Sequence, residues 1–262
     1  MLNLLIFSKN RAAQLDLLLR SINQYFWRGT YYISVLYKET ELHKKSYQIC
    51  KDLYPQVIFH KEKNFQEDVE YLLDLEQNVC LLTDDTVFFN YIPCTFDIEY
   101  NECISLRLGY NTVVQNHITS QLQPPLFPDE MENHILSWNP NKYGPCFNFG
   151  YPFSFDGHIY QSKLLKDILY DKKYKSTNDM EGILHNNRHC IQKIYSFVHS
   201  CCVNIPCNNL SGLTQYGKIR YYDIEELRKA YEDGKLLHIN TNEPIIGCHQ
   251  ELELLYVGNY NV

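Results

Sequence analysis

The feature that most constrains this chain is an alternation of short apolar runs with helix-period segments over its first ninety residues. Leu2–Phe7 is a continuous apolar run, as expected of a strand buried on both faces. Leu15, Leu18, Leu19, Ile22 and Phe26 then recur at helical spacing, predicting a helix over Arg11–Tyr25 that Gly29 ends. Tyr31–Tyr37 reads as a second strand, Glu41–Leu53 as a helix and Val57–His60 as a third strand. Phe65, Val69, Leu72 and Leu73 mark a third helix, and Val79–Thr83 a fourth strand ending at Asp84-Asp85. This βαβαβαβ order predicts an α/β fold, with a mostly parallel central sheet flanked by helices. Ligands of such sheets bind beyond the carboxyl ends of the strands, where Ser8, Lys38 and Asp84 lie.

The remainder is less regular. Ile104–Arg107 and Val203–Pro206 read as strands, while Gln161–Leu169, Met180–Asn187 and Ile224–Glu232 read as helices, the last closed by Gly234. Gln123–Gly150, rich in Pro, Asn and aromatic residues, reads as a long functional loop. There is no repeat or clear linker, so residues 1–262 are expected to form one domain: a ligand-binding half over 1–90 and a second half over 91–262.

Composition removes several classes of function. The hydrophobic fraction of 45% supplies a sizeable core and argues against disorder. A net charge of −7, with only short basic pairs such as Lys44-Lys45 and Lys172-Lys173, lacks the basic footprint of a nucleic-acid binder. No run of 18 apolar residues predicts a transmembrane helix, and the apolar start lacks the basic region and cleavage site of a signal peptide. The ten cysteines are therefore expected as free thiols of a cytoplasmic protein. Cys201, Cys202 and Cys207 lie near His189 and Cys190 in sequence, but their spacing matches no zinc pattern, and buried thiols are the preferred reading.

Four constellations carry possible chemistry. In Leu81-Leu82-Thr83-Asp84-Asp85, paired carboxylates leave a buried strand, where they either hold a divalent cation or cap a turn. In Phe7-Ser8-Lys9-Asn10-Arg11, either Ser8 or Asn10 caps the following helix, or the turn receives phosphate near Arg11. Asp156, in Ser154-Phe155-Asp156-Gly157-His158, and the acids of Ser176-Thr177-Asn178-Asp179-Met180-Glu181 are either caps or a general base in a cleft. His249, in Gly247-Cys248-His249-Gln250-Glu251, is structural unless it closes onto a metal.

Taken in order, these segments resemble the glycosyltransferases of the GT-A fold, and more narrowly a group of small bacterial and viral family-two-like transferases. Val35-Leu36-Tyr37-Lys38, Ile104–Gly109, Tyr151–Ile159 and Val203–Pro206 add to the likeness, which covers most of the chain. The resemblance implies a Rossmann-like sheet binding a nucleoside-diphosphate sugar on its first half and an acceptor on its irregular second half. Phe7, Ser8 and Arg11 would line the nucleotide pocket. Lys38 and Asp68 would sit near the base, with Asp68 accepting its imide N–H, which points to a uridine-linked donor. Asp84 would face the ribose, and Asp85 would bind Mn²⁺ or Mg²⁺ with His249 as a late ligand. Glu181 would be the base of an inverting transfer, with Asp156 and Asp179 as rivals. Trp138, Tyr143 and Phe147 would shape the acceptor side. Thr86 stands where relatives commonly carry a third acid. A nucleotidyltransferase would share the sheet and paired carboxylates but calls for a glycine-rich phosphate loop, and the first turn has no glycine. A non-catalytic nucleotide- or glycan-binding module on the same fold is the reading from another class.

Overall fold

In a computed structural model, the structure describes residues 1–26, 29, 31–74, 77–92, 97–116, 121–206, 222–240 and 242–259. Cys207, from the zinc reading, lies outside these residues. The strands are β1 (Leu2–Lys9), β2 (Tyr31–Lys38), β3 (Ile58–Lys61), β4 (Asn78–Thr83), β5 (Thr86–Phe88), β6 (Glu102–Ser105), β7 (Val114–Asn116), β8 (Gln121–Leu122), β9 (Glu130–Glu132), β10 (Ile135–Trp138), β11 (His158–Gln161), β12 (Lys193–Phe197), β13 (Cys202–Asn204), β14 (Lys235–Ile239) and β15 (Leu254–Asn259). The helices are α1 (Ala12–Tyr25), α2 (Lys44–Leu53), α3 (Phe65–Leu73), α4 (Ser162–Leu169), α5 (Thr177–Asn186) and α6 (Ile224–Glu232).

The main sheet runs β3-β2-β1-β4-β11-β6-β12-β10-β9. Its first four strands are parallel, as the alternation predicts. Beyond β4 the sheet is mixed: β11 runs antiparallel between β4 and β6, and β6 and β12 are parallel to each other. The chain winds outward from β1 to β3 and then returns to place β4 on the other side of β1. That reversal opens a crevice at the carboxyl ends of β1 and β4.

Both faces of the sheet's centre are covered, which explains why β1, β2 and β4 read as largely apolar runs. On β1, Leu4 and Ile6 face a core built with α1, α2, α6 and β14, while Leu5 and Phe7 face a second core built with α3, α4 and α5. The same alternation divides Val35 from Leu36 and Leu82 from Leu81. Helix α1 forms because Leu15, Leu18, Leu19 and Ile22 make one stripe, and all four are fully buried.

The Gln123–Gly150 segment is more structured than a functional loop. Residues 130–138 form the β9–β10 hairpin at the sheet edge. Asn133 and His134 turn it, with φ of 50° and 66°, as a two-residue hairpin turn requires. Trp138, expected on the acceptor side, is instead wholly buried, with its indole N–H donating to the Phe149 carbonyl at 2.9 Å. Among the described residues no helix is long and apolar enough to cross a membrane.

Candidate active site

A cleft of about 990 Å³ lies over the crevice between β1 and β4. Its floor is made by the strand ends. Phe7, Ser8, Lys9 and Arg11 follow from β1, Leu36 and Lys38 from β2, and Thr83, Asp84 and Asp85 from β4. The opposite wall brings Arg107, Tyr151, Asp156, Glu181, Asn204 and His249 from the second half of the chain.

The β1–α1 turn is held away from the simple capping arrangement. Arg11 is itself the N-cap of α1 and makes no side-chain cap bond. The Ser8 hydroxyl pairs with the Tyr47 phenol at 2.6 Å, and Asn10 Oδ1 accepts the Thr40 N–H at 2.8 Å. Asn10 sits at φ 55°, a left-handed conformation that asparagine tolerates better than most residues. The turn thus carries Arg11 toward the end of β4, where its Nη1 lies 3.1 Å from both Asp84 Oδ1 and Asp85 Oδ2. Asp84 Oδ2 accepts the Lys9 backbone N–H at 3.2 Å. Burial raises the Asp84 carboxyl to about 6 although Arg11 pulls the other way, and the Asp85 charge adds to the rise.

Asn204 joins the two walls. It reaches the site because β13 pairs with β5, opposing Asn204 to Thr86. Its Nδ2 lies 2.8 Å from Asp85 Oδ1, 3.1 Å from Asp156 Oδ1 and 3.1 Å from the Thr83 hydroxyl. The chain around His249 runs alongside: Asn204 N–H donates to the Cys248 carbonyl at 2.9 Å, and Gln250 N–H to the Asn204 carbonyl at 3.0 Å. His249 Nε2 therefore meets Asp156 Oδ2, at 2.9 Å. The same carboxylate oxygen receives Nη1 of the buried Arg107 at 3.2 Å. Beside Asp156, Gly157 lets the chain pass close to β13. It has φ +95°, and a Cβ there would lie 2.7 Å from the Cys202 sulfur. Burial opposes the charged form of Asp156, but the hydrogen bond and charge of His249, the Arg107 guanidinium and the Thr83 hydroxyl overcome it and hold the acid far below its ordinary value.

Glu181 behaves in the opposite way. Helix α5 opens with reciprocal cap bonds: Ser176 Oγ accepts the Asp179 N–H at 3.2 Å, and Asp179 Oδ2 accepts the Lys175 N–H at 3.0 Å. Asp179 is exposed and makes the cap, and Met180 turns into the core. Glu181 faces the cleft, with the Tyr151 phenol as a hydrogen-bond partner. Burial, then the Asp156 charge, push its carboxyl up to about 7, against Arg107.

Other sequence expectations land elsewhere. Asp68 does not line the cleft. Its Oδ1 pairs with His60 Nε2 at 2.7 Å and its Oδ2 accepts the Lys63 and Asn64 N–H groups at 2.7 and 3.0 Å, so it organises the approach to α3. Burial raises this acid, but those backbone bonds and His60 bring it below its ordinary value. The acid that does line the cleft near Lys38 is Glu62, which accepts from Lys38 Nζ at 2.7 Å. No sequence signal separates Glu62 from the neighbouring surface charges. On the acceptor side, Pro145, Cys146 and Asn148 form the rim in place of Tyr143 and Phe147.

The expected metal ligands do not converge. Asp85 is engaged by Arg11 and Asn204, while His249 is turned to Asp156. Thr86 is fully buried, its hydroxyl 3.3 Å from that of Thr83. Among the described residues no three His, Cys, Asp or Glu side chains are grouped to hold an ion. Among the described residues Cys190, Cys201 and Cys202 form no such group with His189 either, and Cys201 and Cys202 are buried free thiols.

No family model matches the chain. In sequence it is 28% identical over 216 residues to the bifunctional glycosyltransferase pgtA of Dictyostelium discoideum, a match covering 71% of this chain and 27% of that protein. The chain thus spans about a quarter of the length of that curated relative. Among solved structures it is similar to S. aureus TarS, at 12% identity and a TM-score of 0.47 over 75% of this chain and 35% of TarS. Residues 1–349 of TarS give 14% and 0.48 over 77% and 59%. The apo bifunctional glycosyltransferase WbbM gives 14% and 0.40 over 74% and 38%. The sequence match to a glycosyltransferase, the mixed α/β sheet and the acids gathered where its strand order reverses agree with the resemblance read from the sequence, that of a GT-A glycosyltransferase.

Proposed function

We propose that the chain transfers a sugar from a nucleoside-diphosphate donor to an acceptor hydroxyl with inversion, and that Glu181 is the base. The observation that carries the reading is Glu181 itself: a carboxyl raised to about 7 on the wall of the cleft that also holds Asp84 and Asp85. A general base works best when its pKa lies near the working pH.

In the step proposed, Glu181 takes the proton of the acceptor hydroxyl, whose oxygen attacks the anomeric carbon. The bond from that carbon to the donor diphosphate breaks, and the diphosphate leaves with the electron pair. Lys9, Arg11 and Lys38 lie on the same floor and would meet the charge that develops on it. Tyr151 and Arg107 would set the orientation and charge of the base, and the rim at Pro145, Cys146 and Asn148 would receive the acceptor.

A donor-hydrolysis screen over uridine-, thymidine-, guanosine- and adenosine-diphosphate sugars tests the reading. Release of nucleoside diphosphate from at least one of these donors is expected. Tight nucleotide binding without turnover of any donor, alone or with sugar acceptors, would leave a binding module instead.

A further inference from the structure

Arg11 occupies the position where a cation would have to sit. The two aspartates offer four carboxylate oxygens, and each one has a protein donor. Asp84 Oδ1 and Asp85 Oδ2 share Arg11 Nη1 at 3.1 Å, Asp84 Oδ2 takes the Lys9 N–H at 3.2 Å, and Asp85 Oδ1 takes Asn204 Nδ2 at 2.8 Å. The ion pairs are sheltered: the Arg11 side chain is 11% exposed, those of Asp84 and Asp85 4% and 13%.

The guanidinium is also fixed from behind. Asn10 N–H donates to the Lys38 carbonyl at 3.1 Å, and Arg11 N–H to the Tyr47 phenol at 3.3 Å, so the backbone that carries Arg11 is tied to β2 and α2. A divalent ion at Asp85 would have to break the contact to Arg11 or to Asn204, and it would find a threonine at the third position. Separating Arg11 from two sheltered carboxylates is costly, because each charge would be left desolvated and unpaired. A guanidinium is itself suited to phosphate, since its planar donors match two oxygens at once and it keeps its charge at all working pH values.

We propose that Arg11 is the resident cation of the diphosphate pocket, and that nucleoside diphosphate binds there without a divalent metal ion. The proposal rests on the glycosyltransferase reading above, and extends it by assigning the charge-neutralising role to a side chain of this protein. Asp84 and Asp85 act as the anchors that hold the guanidinium in register with the cleft.

Calorimetric titration of uridine diphosphate into the wild-type chain, once in EDTA and once in Mn²⁺, tests it, with the other three nucleoside diphosphates as comparators. The expected result is a Kd that differs between the two buffers by less than about threefold. Arg11→Met should weaken binding in EDTA by tenfold or more and recover it in Mn²⁺, because the freed carboxylates then chelate the ion. Arg11→Lys, which keeps a positive charge, should fall between the two. Binding by wild type that is tenfold or more tighter in Mn²⁺ overturns the proposal and leaves the glycosyltransferase reading standing. So does an Arg11→Met variant with the same dependence on Mn²⁺ as wild type. Failure of all four nucleotides to bind in either buffer removes the transferase reading, and this inference with it. Thermal melts confirm folding of each variant, and the wild-type comparison decides the question if Arg11→Met does not fold.

Discussion

Replacing Glu181 with glutamine should remove transfer and, above neutral pH, stabilise the protein. Raising this carboxyl from its ordinary 4.5 to about 7 costs the ionised form ~3 kcal/mol. The sign follows from proton counting. Between those two values the unfolded chain has released the proton while the folded protein keeps it, so the folded state binds more protons and stability falls as pH rises. Above about 7 the loss is complete. Glutamine is neutral throughout and keeps the size and polarity of the protonated acid. The variant should therefore match wild type near pH 4 and exceed it by up to ~3 kcal/mol at pH 8, each kcal/mol moving Tm by about 2–4 °C in a chain of this size. Urea denaturation at a series of pH values measures the difference directly. Transfer runs the other way. In wild type it should climb with pH to a plateau above about 7, and in the variant it should drop by roughly 10²-fold or more with donor affinity kept. A stability difference that does not change from pH 5 to pH 8 would refute the buried-base argument, and undiminished transfer would refute the role.

Asp179→Asn should leave transfer unchanged and cost at most ~1 kcal/mol in a thermal melt, since this residue's carboxylate only ties the start of α5 to the Lys175 N–H. Asp156→Asn leaves the Arg107 guanidinium, 2% exposed, without its ion-pair partner. It should lower unfolding free energy by about 3–5 kcal/mol in urea. Trp138→Ala should cost about 3–5 kcal/mol of stability while nucleotide affinity in the folded variant stays at the wild-type value, because the indole packs on Phe149 in the core.

The parallel half of the sheet was legible because β1, β2 and β4 are largely buried on both faces and each crossover helix carries an apolar stripe. Residues 2–83 announce these elements to within three residues. The remaining main-sheet strands are short, and each depends on a neighbour that is distant in sequence. His158–Gln161 becomes a strand by pairing between β4 and β6, and Lys193–Phe197 by pairing with β6 and β10. Four- and five-residue segments of this kind carry no period of their own. At the site, Asp84, Asp85, Asp156, Glu181 and His249 do line one cleft, since strand ends and helix starts are readable positions. Their partners were not readable. That His249 meets Asp156, and Arg11 meets Asp85, follows from β13 lying along the Cys248–Gln250 segment and from the tied β1–α1 turn. Asp68 shows the converse: an acid at a helix start, spent on the backbone of its own turn.

Asp156 and Glu181 show how this arrangement divides labour between two like groups. Both are carboxyls withdrawn from water, and burial alone would raise both. Asp156 is surrounded by donors: Arg107, His249, the Thr83 hydroxyl and the Asn204 amide all point at it. It stays ionised far below its ordinary value, and its fixed negative charge becomes part of the environment of Glu181. Glu181 has one phenol beside it, and Arg107 reaches it only as a distributed charge already paired with Asp156. The donors that hold one acid ionised are thereby withheld from the other. Two carboxyls pushed to opposite sides of their ordinary range are what acid–base chemistry at neutral pH needs. On the function proposed, the acid left near 7 would take a proton from an acceptor and return it to water, and Asp156 would serve it as a positioning residue. Any substitution that weakens the Asp156 network should therefore act on transfer through the pH at which Glu181 becomes competent.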